Sequence, residues 1–298
     1  MTKVLLFAAS GQLGQELLRA LAPLGTVVAT TRSGQLADGT PCETADFDQP
    51  DALAGLLDRV RPDWVVNAAA YTAVDRAEQD GDAAWRANAD TPGVIARWCA
   101  AAGVPLVHYS TDYVFDGQGT RPYREDDATA PLGVYGASKL AGEDAVRAAG
   151  GRHLIFRTAW VYAAHSANFL RTMLRVGAER DQLRVVADQV GTPTPAALIA
   201  DVTAQVMQHP SRLSGIWHLT ATGETSWHGF AEAIFGAAVA QGILARAPQV
   251  EAITSAEYPT PAKRPAYSHL DVSKLESDFG VSLPTWQQGL ERVIAELR

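Results

Sequence analysis

The chain has 298 residues, of which 47% are hydrophobic, and its 25 basic and 33 acidic side chains give a formal net charge of −8. This length allows a sizeable core in one large or two smaller domains, and the acidic balance argues against nucleic-acid binding. The two cysteines, Cys42 and Cys99, form no metal or redox motif, which predicts a reduced, cytoplasmic protein. We find no signal peptide and no apolar run of membrane-spanning length, so we expect no membrane partner.

In the first half of the chain, short apolar runs alternate with segments of helical character. The predicted strands cover residues 4–7, 27–30, 64–66, 104–109 and 154–157. The predicted helices cover residues 16–21, 51–60, 82–101 and 135–148. This alternation predicts an α/β protein with a Rossmann-type, doubly wound parallel sheet and helices on both of its faces.

In the second half the alternation is less regular, and prolines cluster near residues 193–195 and 259–265. Helices are predicted at 168–176, 196–207 and 226–240, and strands at 183–186 and 215–219. We therefore expect a dinucleotide-binding domain at residues 1–160. Residues 161–298 are expected to form a smaller, mainly substrate-binding part, with some segments returning to the first domain.

A glycine turn between the first strand and the first helix is typical of a pyrophosphate site. Residues 8–14 read AASGQLG, and Gly11, Gln12, Leu13 and Gly14 are the expected cofactor contacts. Glycine lets the backbone approach phosphate, and the helix N-terminus supplies N–H groups. A full pattern would have glycine where Ala8 stands, and we expect its methyl group to be tolerated only if the backbone φ stays negative.

The end of the second strand predicts the choice of cofactor. It reads TTRS at residues 30–33, without the acidic residue that usually binds the ribose of NAD. Arg32 is either a partner for the 2′-phosphate of NADPH or a solvated surface charge. We expect NADPH to be accepted and preferred, with NADH as a second cofactor. The other expected cofactor contacts are Asp46, Phe47, Ala68, Ala69 and Ala70.

A tyrosine and a lysine four residues apart, Tyr135 and Lys139, lie on one face of the predicted fourth helix. An ammonium group near a phenol lowers the pKa of the phenol, which can then exchange a proton with a carbonyl or alcohol oxygen. The spacing alone is weak evidence, because it also fits a half-buried ring and a solvated amine.

Taken together, these motifs resemble the extended short-chain dehydrogenase/reductase family, and within it the dTDP-4-dehydrorhamnose reductases. The most specific matches are HYSTDYVFDG at 108–117 and PLGVYGASKLAGE at 131–143. Further matches are NAAAYTAVD at 67–75, RTAWVY at 157–162, DQVGTPT at 188–194 and RPAYS at 264–268.

The resemblance implies an NAD(P)H-dependent oxidoreductase of carbohydrate biosynthesis that reduces the C4 keto group of dTDP-4-dehydro-β-L-rhamnose to dTDP-L-rhamnose. It implies that Tyr135 is the proton donor, that Lys139 tunes it and binds the nicotinamide ribose, and that Thr111 hydrogen-bonds the reacting oxygen. It also implies that Tyr109 lines the cofactor side. The expected substrate contacts are Thr111, Asp112, Tyr135, Trp160 and Arg264.

Each of these residues also has a purely structural interpretation. Thr111 could bond its own backbone, Asp112 could form a turn, Trp160 could belong to the core and Arg264 could be a surface charge. Relatives of this kind are described with a glutamate cluster that binds magnesium between two subunits. Glu16 fits that cluster, but residues 195–198 (PAAL) supply no carboxylate, so we doubt bound magnesium and predict no metal site. A homodimer is left open and is not indicated.

Two other functions remain open at this point. The enzyme could be a reductase or epimerase of another nucleotide-linked sugar. Alternatively, the chain could be a non-catalytic regulatory subunit resembling the β-subunit of methionine adenosyltransferase. Because Thr111, Tyr135 and Lys139 are all present, the sequence favours the enzyme.

Overall fold

The computed structural model describes residues 2–297 and contains one large parallel sheet with three small two-stranded sheets beside it. The strands are β1 (Thr2–Phe7), β2 (Gly25–Thr31), β3 (Glu43–Thr44), β4 (Trp64–Asn67), β5 (Leu106–Thr111), β6 (His153–Thr158), β7 (Val161–Tyr162), β8 (Gln182–Val186), β9 (Val190–Gly191), β10 (Thr194–Pro195), β11 (Gly215–His218), β12 (Thr225–Ser226) and β13 (Gln249–Ile253).

The helices are α1 (Gln12–Leu21), α2 (Pro50–Val60), α3 (Val74–Ala77), α4 (Gly81–Trp85), α5 (Thr91–Ala102), α6 (Val134–Ala148), α7 (Phe169–Glu179), α8 (Ala196–Gln208), α9 (Trp227–Ala240), α10 (Ser273–Phe279) and α11 (Trp286–Ala295). A π-helical turn, Arg86–Asp90, joins α4 to α5. Among residues 2–297, no helix combines the length and the apolarity needed to cross a bilayer.

The large sheet has seven strands in the order β11-β6-β5-β4-β1-β2-β3, and every pair of neighbours is parallel. The predicted α/β fold class is therefore confirmed. The chain reverses its direction of winding between β1 and β4. In such sheets, ligands bind outside the carboxyl ends of the strands at this switch point.

Two apolar layers cover the sheet, which is why its strands are hydrophobic on both faces. On one face, Leu6 of β1 and Phe156 of β6 pack with Leu17 of α1 and Ile199 of α8. On the other face, Leu5 packs with side chains of α2 and α5. A separate cluster in the second half joins α7, α9 and α11 around Phe230. Burial of these apolar faces stabilises the sheet and the helices that position the glycine loop and the end of β5.

The predicted elements of the first half are all present, with shifted ends. The fourth predicted strand, at 104–109, lies two residues further along the chain as β5, so that it ends at Thr111. The longer elements that the sequence did not predict are β13, α10 and α11, and the short elements that it did not predict are β3, β7, β9, β10, β12 and α3. Strand β11 adds a strand of the second half to the edge of the large sheet beside β6.

Candidate active site

The glycine loop between β1 and α1 is a tight turn. Gly11 N–H donates to the Ala8 carbonyl at 3.0 Å, and Ala8 has a φ of 60°. The expectation that this φ stays negative is therefore wrong. The turn imposes a left-handed backbone at Ala8, which costs an L-residue roughly 1–2 kcal/mol.

Gly14 has a packing role in the same loop. A Cβ atom placed on it would lie 2.0 Å from the Ala8 carbonyl oxygen, so only glycine lets α1 approach β1 this closely. Within residues 2–297, no side chain caps the N-terminus of α1, and its first N–H groups therefore remain available to an anion. Leu13 packs against the core, whereas Gln12 reaches the second half of the chain by donating to the Val161 carbonyl at 3.1 Å.

Beside this loop lies a cleft of about 470 Å³ at the switch point of the sheet. The expected cofactor residues that line it are Gly11, Arg32, Phe47, Ala69 and Ala70, and Ala8 lines it beside them. Ala68 packs against the core instead. The cleft also has lining residues that the sequence did not single out, namely Ser10, Thr31, Ala45, Asp48, Tyr71, Arg76, Asp80, Ala83 and Ala87.

Arg32 lies at the edge of this cleft with 72% of its side chain exposed. Its guanidinium is 3.5 Å from Asp46 Oδ1 and 3.4 Å from Asp48 Oδ2. Asp48 also pairs with Arg86 at 3.2 Å. Arg32 is thus oriented by two carboxylates while most of its surface stays open to a ligand.

The carboxyl end of β5 holds two of the expected substrate contacts. Thr111 Oγ1 accepts the backbone N–H of Tyr113 at 3.2 Å and donates to Asp112 Oδ1 at 3.0 Å. The structural role considered for Thr111 is therefore present, because its side chain caps the short 3-10 turn Asp112–Val114. Burial raises the pKa of Asp112 to about 6, and nearby hydrogen-bond donors offset only part of this effect.

Tyr135 lies in the first turn of α6, where its ring makes an edge-to-face contact with Tyr113 at 5.6 Å between centroids. Burial raises the pKa of Tyr135 to about 12, the Thr111 hydroxyl opposes this rise, and the charge of Asp112 adds to it. The expectation that Lys139 lowers the pKa of this phenol stays a prediction.

Lys139 is directed towards the backbone of β5. Its ammonium donates to the Tyr109 carbonyl at 2.6 Å, and only 2% of the residue is exposed. Burial lowers the pKa of Lys139 to about 8, and the charge of Glu143 opposes this effect. The Tyr109 ring was expected beside the cofactor, but it lies in the core and its hydroxyl is 2.8 Å from Thr203 Oγ1. The carbonyl group of Tyr109, rather than its ring, reaches the site.

Trp160 follows β6 and has a φ of 46°, a left-handed conformation that is unusual for so large a side chain. Its indole stacks on that of Trp227, with ring centroids 3.5 Å apart and planes within 4°. One face of Trp160 is therefore covered by protein. Only the rest of the ring can contact a ligand.

Arg264 is half-buried and pairs with Asp75 at 2.7 Å, joining α3 to the segment before α10. Burial opposes the charge of the guanidinium, but the hydrogen bond to Asp75 and the charge of that carboxylate outweigh this effect and raise the pKa of Arg264. Arg264 is therefore not the solvated surface charge that the structural interpretation assumed, because it is half-buried and paired. The expectation that Arg264 contacts substrate stays a prediction.

Glu16, on α1, has protein partners. Its carboxylate is 2.8 Å from His165 Nε2 and 3.2 Å from Arg19 Nε. The expectations that no metal binds here and that no dimer is bridged through this residue stay predictions.

Sequence reasoning missed several residues that support the site. Asn88, in the π-helical turn, bonds the backbone of Tyr71 and donates to Ser138 Oγ of α6 at 3.0 Å. Trp227 and Asp75 hold two of the expected substrate contacts. The only signal for Asp75 was its position inside the motif at 67–75, whereas Asn88 and Trp227 lie in segments that read as ordinary helix.

Comparison with known proteins identifies the family. A family model described as the RmlD substrate binding domain matches residues 1–298. A dTDP-4-dehydrorhamnose reductase of Shigella flexneri is 45% identical over 297 residues, covering 99% of this chain and 97% of the relative. One from Burkholderia thailandensis is 46% identical over 304 residues, covering 99% of both.

The solved structures agree with these relatives. A dTDP-4-dehydrorhamnose reductase from Bacillus anthracis, in complex with NADP, superposes with a TM-score of 0.90 at 33% identity, covering 99% of each chain. One from Clostridium acetobutylicum gives a TM-score of 0.89 at 36% identity with the same coverage. The resemblance indicated by the motifs is confirmed, and the chain belongs to the family of the RmlD substrate binding domain.

Proposed function

We propose that this protein is an NAD(P)H-dependent reductase that converts the C4 keto group of dTDP-4-dehydro-β-L-rhamnose to the alcohol of dTDP-L-rhamnose. The relatives named for this activity span nearly the whole chain at 45–46% identity. The observation that carries the proposal is the meeting of Thr111, Tyr135 and Lys139 at the carboxyl end of β5, in the sheet whose switch point forms the cleft.

The residues of the cleft fit a dinucleotide. The uncapped N-terminus of α1 suits a pyrophosphate, and the small side chains after β4 leave room for the cofactor backbone. Arg32 presents an exposed guanidinium for a 2′-phosphate, which favours NADPH while allowing NADH. A bound nicotinamide cofactor would supply the hydride.

The protein residues then handle the proton and the developing charge. Because its pKa is raised, Tyr135 is protonated at neutral pH, as a proton donor must be. Thr111 stabilises the same oxygen as negative charge develops on it. We assign the nicotinamide ribose to Lys139, and the bond from its ammonium to the Tyr109 carbonyl supports this role by fixing the side chain at the end of β5. The product alcohol therefore receives its proton from Tyr135 and its hydride from the cofactor.

The nucleotide sugar would be held by residues of both parts of the chain. We assign Asp112 and Trp160 of the cofactor domain (residues 1–160) and Arg264 of the mainly substrate-binding part (residues 161–298) to it. An arginine suits a diphosphate because its fork of donors matches the phosphate oxygens. The Asp75 ion pair would fix the direction of that fork.

The test is an absorbance assay of NADPH oxidation with a panel of nucleotide-linked 4-keto sugars. We expect turnover with dTDP-4-dehydro-L-rhamnose and formation of dTDP-L-rhamnose. Turnover only with another nucleotide sugar would change the assigned substrate. A folded protein that binds NADP⁺ but oxidises NADPH with none of the sugars would contradict the enzyme assignment and favour a regulatory role.

A further inference from the structure

The hydroxyl of Thr111 has one proton, and in this structure that proton is used in a hydrogen bond to Asp112. Thr111 Oγ1 donates to Asp112 Oδ1 at 3.0 Å and accepts from Tyr113 N–H at 3.2 Å. A hydroxyl offers one donor and two acceptor positions. While the bond to Asp112 persists, Thr111 therefore cannot donate to the oxygen of a substrate carbonyl.

Asp112 lies where a charged carboxylate is poorly supported. The residue is 2% exposed, and within residues 2–297 its Oδ2 has no hydrogen-bond partner. A buried ionised oxygen without a donor is costly, whereas a neutral carboxylic acid is less so.

The groups around this carboxyl are mostly uncharged. They are Thr111 and Tyr113 at the end of β5, Tyr135 of α6, and Ser268 of the segment before α10. The Ser268 hydroxyl lowers the pKa of Asp112 by hydrogen bonding to its carboxyl, which offsets only part of the rise caused by burial, and it also lies 3.5 Å from the Val190 carbonyl. Arg264, whose charge acts on Tyr113, forms its ion pair with Asp75 instead. In keeping with these surroundings, the pKa of Asp112 is raised to about 6 by burial.

We propose that Asp112 is a positioning residue whose protonated form donates to Thr111 Oγ1 and thereby frees the Thr111 hydroxyl to donate to the carbonyl oxygen of the substrate. The hydrogen bonds then balance, because Thr111 accepts from Asp112 and from Tyr113 N–H and donates once. Asp112 keeps its proton throughout, and Tyr135 remains the source of the proton in the product. This inference rests on the proposed reductase function.

The proposal fixes the sign of a pH dependence. Ionised Asp112 holds the Thr111 proton through a charge-assisted bond, which is stronger than a neutral one. Reduction should therefore be faster below the pKa of Asp112 and slower above it. When Asp112 is ionised, Thr111 must break its hydrogen bond to the carboxylate before it can donate to the substrate. We expect this requirement to slow kcat about tenfold or more.

The test compares pH profiles of kcat for keto-sugar reduction in the wild type, Asp112→Asn and Asp116→Asn. In Asp112→Asn, the amide N–H₂ can donate to Thr111 Oγ1 at every pH, so we expect a kcat that no longer falls as the pH rises. Asp116 is a matched control, because its carboxylate bonds Tyr123 and the Gln118 backbone. Asp116→Asn should keep the wild-type fall in kcat. NADP⁺ binding verifies that each variant is folded.

A second measurement does not depend on turnover. The ¹³C signal of the Asp112 carboxyl in labelled protein should titrate near its raised pKa, and its assignment comes from its loss in Asp112→Asn, or in Asp112→Ser if the asparagine variant does not fold. A carboxyl that remains ionised at pH 5 would overturn the proposal, as would a folded Asp112→Asn that keeps the wild-type pH dependence or is inactive at every pH. An inactive wild type would instead refute the reductase function.

Discussion

The two ends of the candidate site hold their polar groups in opposite surroundings. At the cleft, the side chains of Arg32 and Asp48 are 72% and 47% exposed, and their ion pair is 3.4 Å long. At the end of β5, Thr111, Asp112 and Lys139 are each at most 4% exposed. Water screens the charges at the first end, so changes there should have modest effects that depend on salt. At the second end, burial shifts the pKa values of the side chains, and single hydrogen bonds determine whether each group can donate or accept a proton.

The largest effect should come from removing the phenol of the buried end. Tyr135→Phe should lower kcat by roughly 10²–10⁴-fold, the range for loss of a general acid. Cofactor binding should be nearly unchanged. Steady-state kinetics and NADP⁺ titration test this, with Tyr258→Phe as control, because Tyr258 is 61% exposed. A near-normal kcat in Tyr135→Phe would remove Tyr135 as the proton donor.

A stability measurement tests whether burial raises the pKa of Asp112 in the folded protein. The native pKa, about 6, is raised above the ordinary 3.8, so the folded state binds more protons in that interval and loses stability as pH rises through it. Asp112→Asn does not ionise. Its advantage in free energy of unfolding over the wild type should therefore grow by about 2.4 kcal/mol between pH 4 and pH 8.

Denaturant unfolding at the two pH values gives this difference directly. Asp116→Asn should not gain with rising pH, because hydrogen bonds lower rather than raise the pKa of Asp116. A constant difference between Asp112→Asn and the wild type would show that Asp112 ionises in the folded protein as it does in water.

At the exposed end, Arg32→Ala should weaken NADP⁺ binding about tenfold and leave NAD⁺ binding nearly unchanged, because only the 2′-phosphate is affected. In the wild type, the preference for NADP⁺ should fall as salt is added. Arg147→Ala, at an exposed pair on α6, is the control. If Arg32→Ala lost equal affinity for NADP⁺ and NAD⁺, Arg32 would not bind the 2′-phosphate.

The smallest effect concerns the backbone of the glycine loop. Ala8→Gly should relieve the left-handed strain, but it also adds freedom to the unfolded chain, so the expected gain is about 1 kcal/mol or less. Ala52→Gly, in the exposed part of α2, should instead lose about 1 kcal/mol. Thermal unfolding of both variants tests these expected changes in stability. If Ala8→Gly lost as much stability as Ala52→Gly, the claim that the backbone of Ala8 is strained would be contradicted.

Local patterns account for what the sequence predicted well. Apolar runs and glycine turns located the strands of the first half, and motif spacing located Thr111, Tyr135 and Lys139 together. Helix α11 also had a local signal that was overlooked, because Thr285 and Gln288 form a capping box at its start. By contrast, β13 pairs with β8, more than sixty residues away, and no local pattern indicates such a partner.

The remaining differences depend on geometry and burial that residue types do not specify. The left-handed φ of Ala8 belongs to the local turn that Gly11 N–H closes, whereas the Tyr109 ring packs in the core, where its hydroxyl contacts Thr203 of α8. The raised pKa values of Tyr135 and Asp112 come from burial, which the residue types alone do not reveal. The sequence could therefore name the reacting groups, but it could not predict their protonation.

The most direct test of the central claim is a turnover of dTDP-4-dehydro-L-rhamnose with NADPH that carries deuterium at the transferred position of the nicotinamide. We predict dTDP-L-rhamnose with deuterium at C4 of the sugar, detected by NMR, and almost none when Tyr135→Phe is used. Deuterium at another carbon, or no labelled product from a folded wild-type protein that binds NADP⁺, would contradict the account.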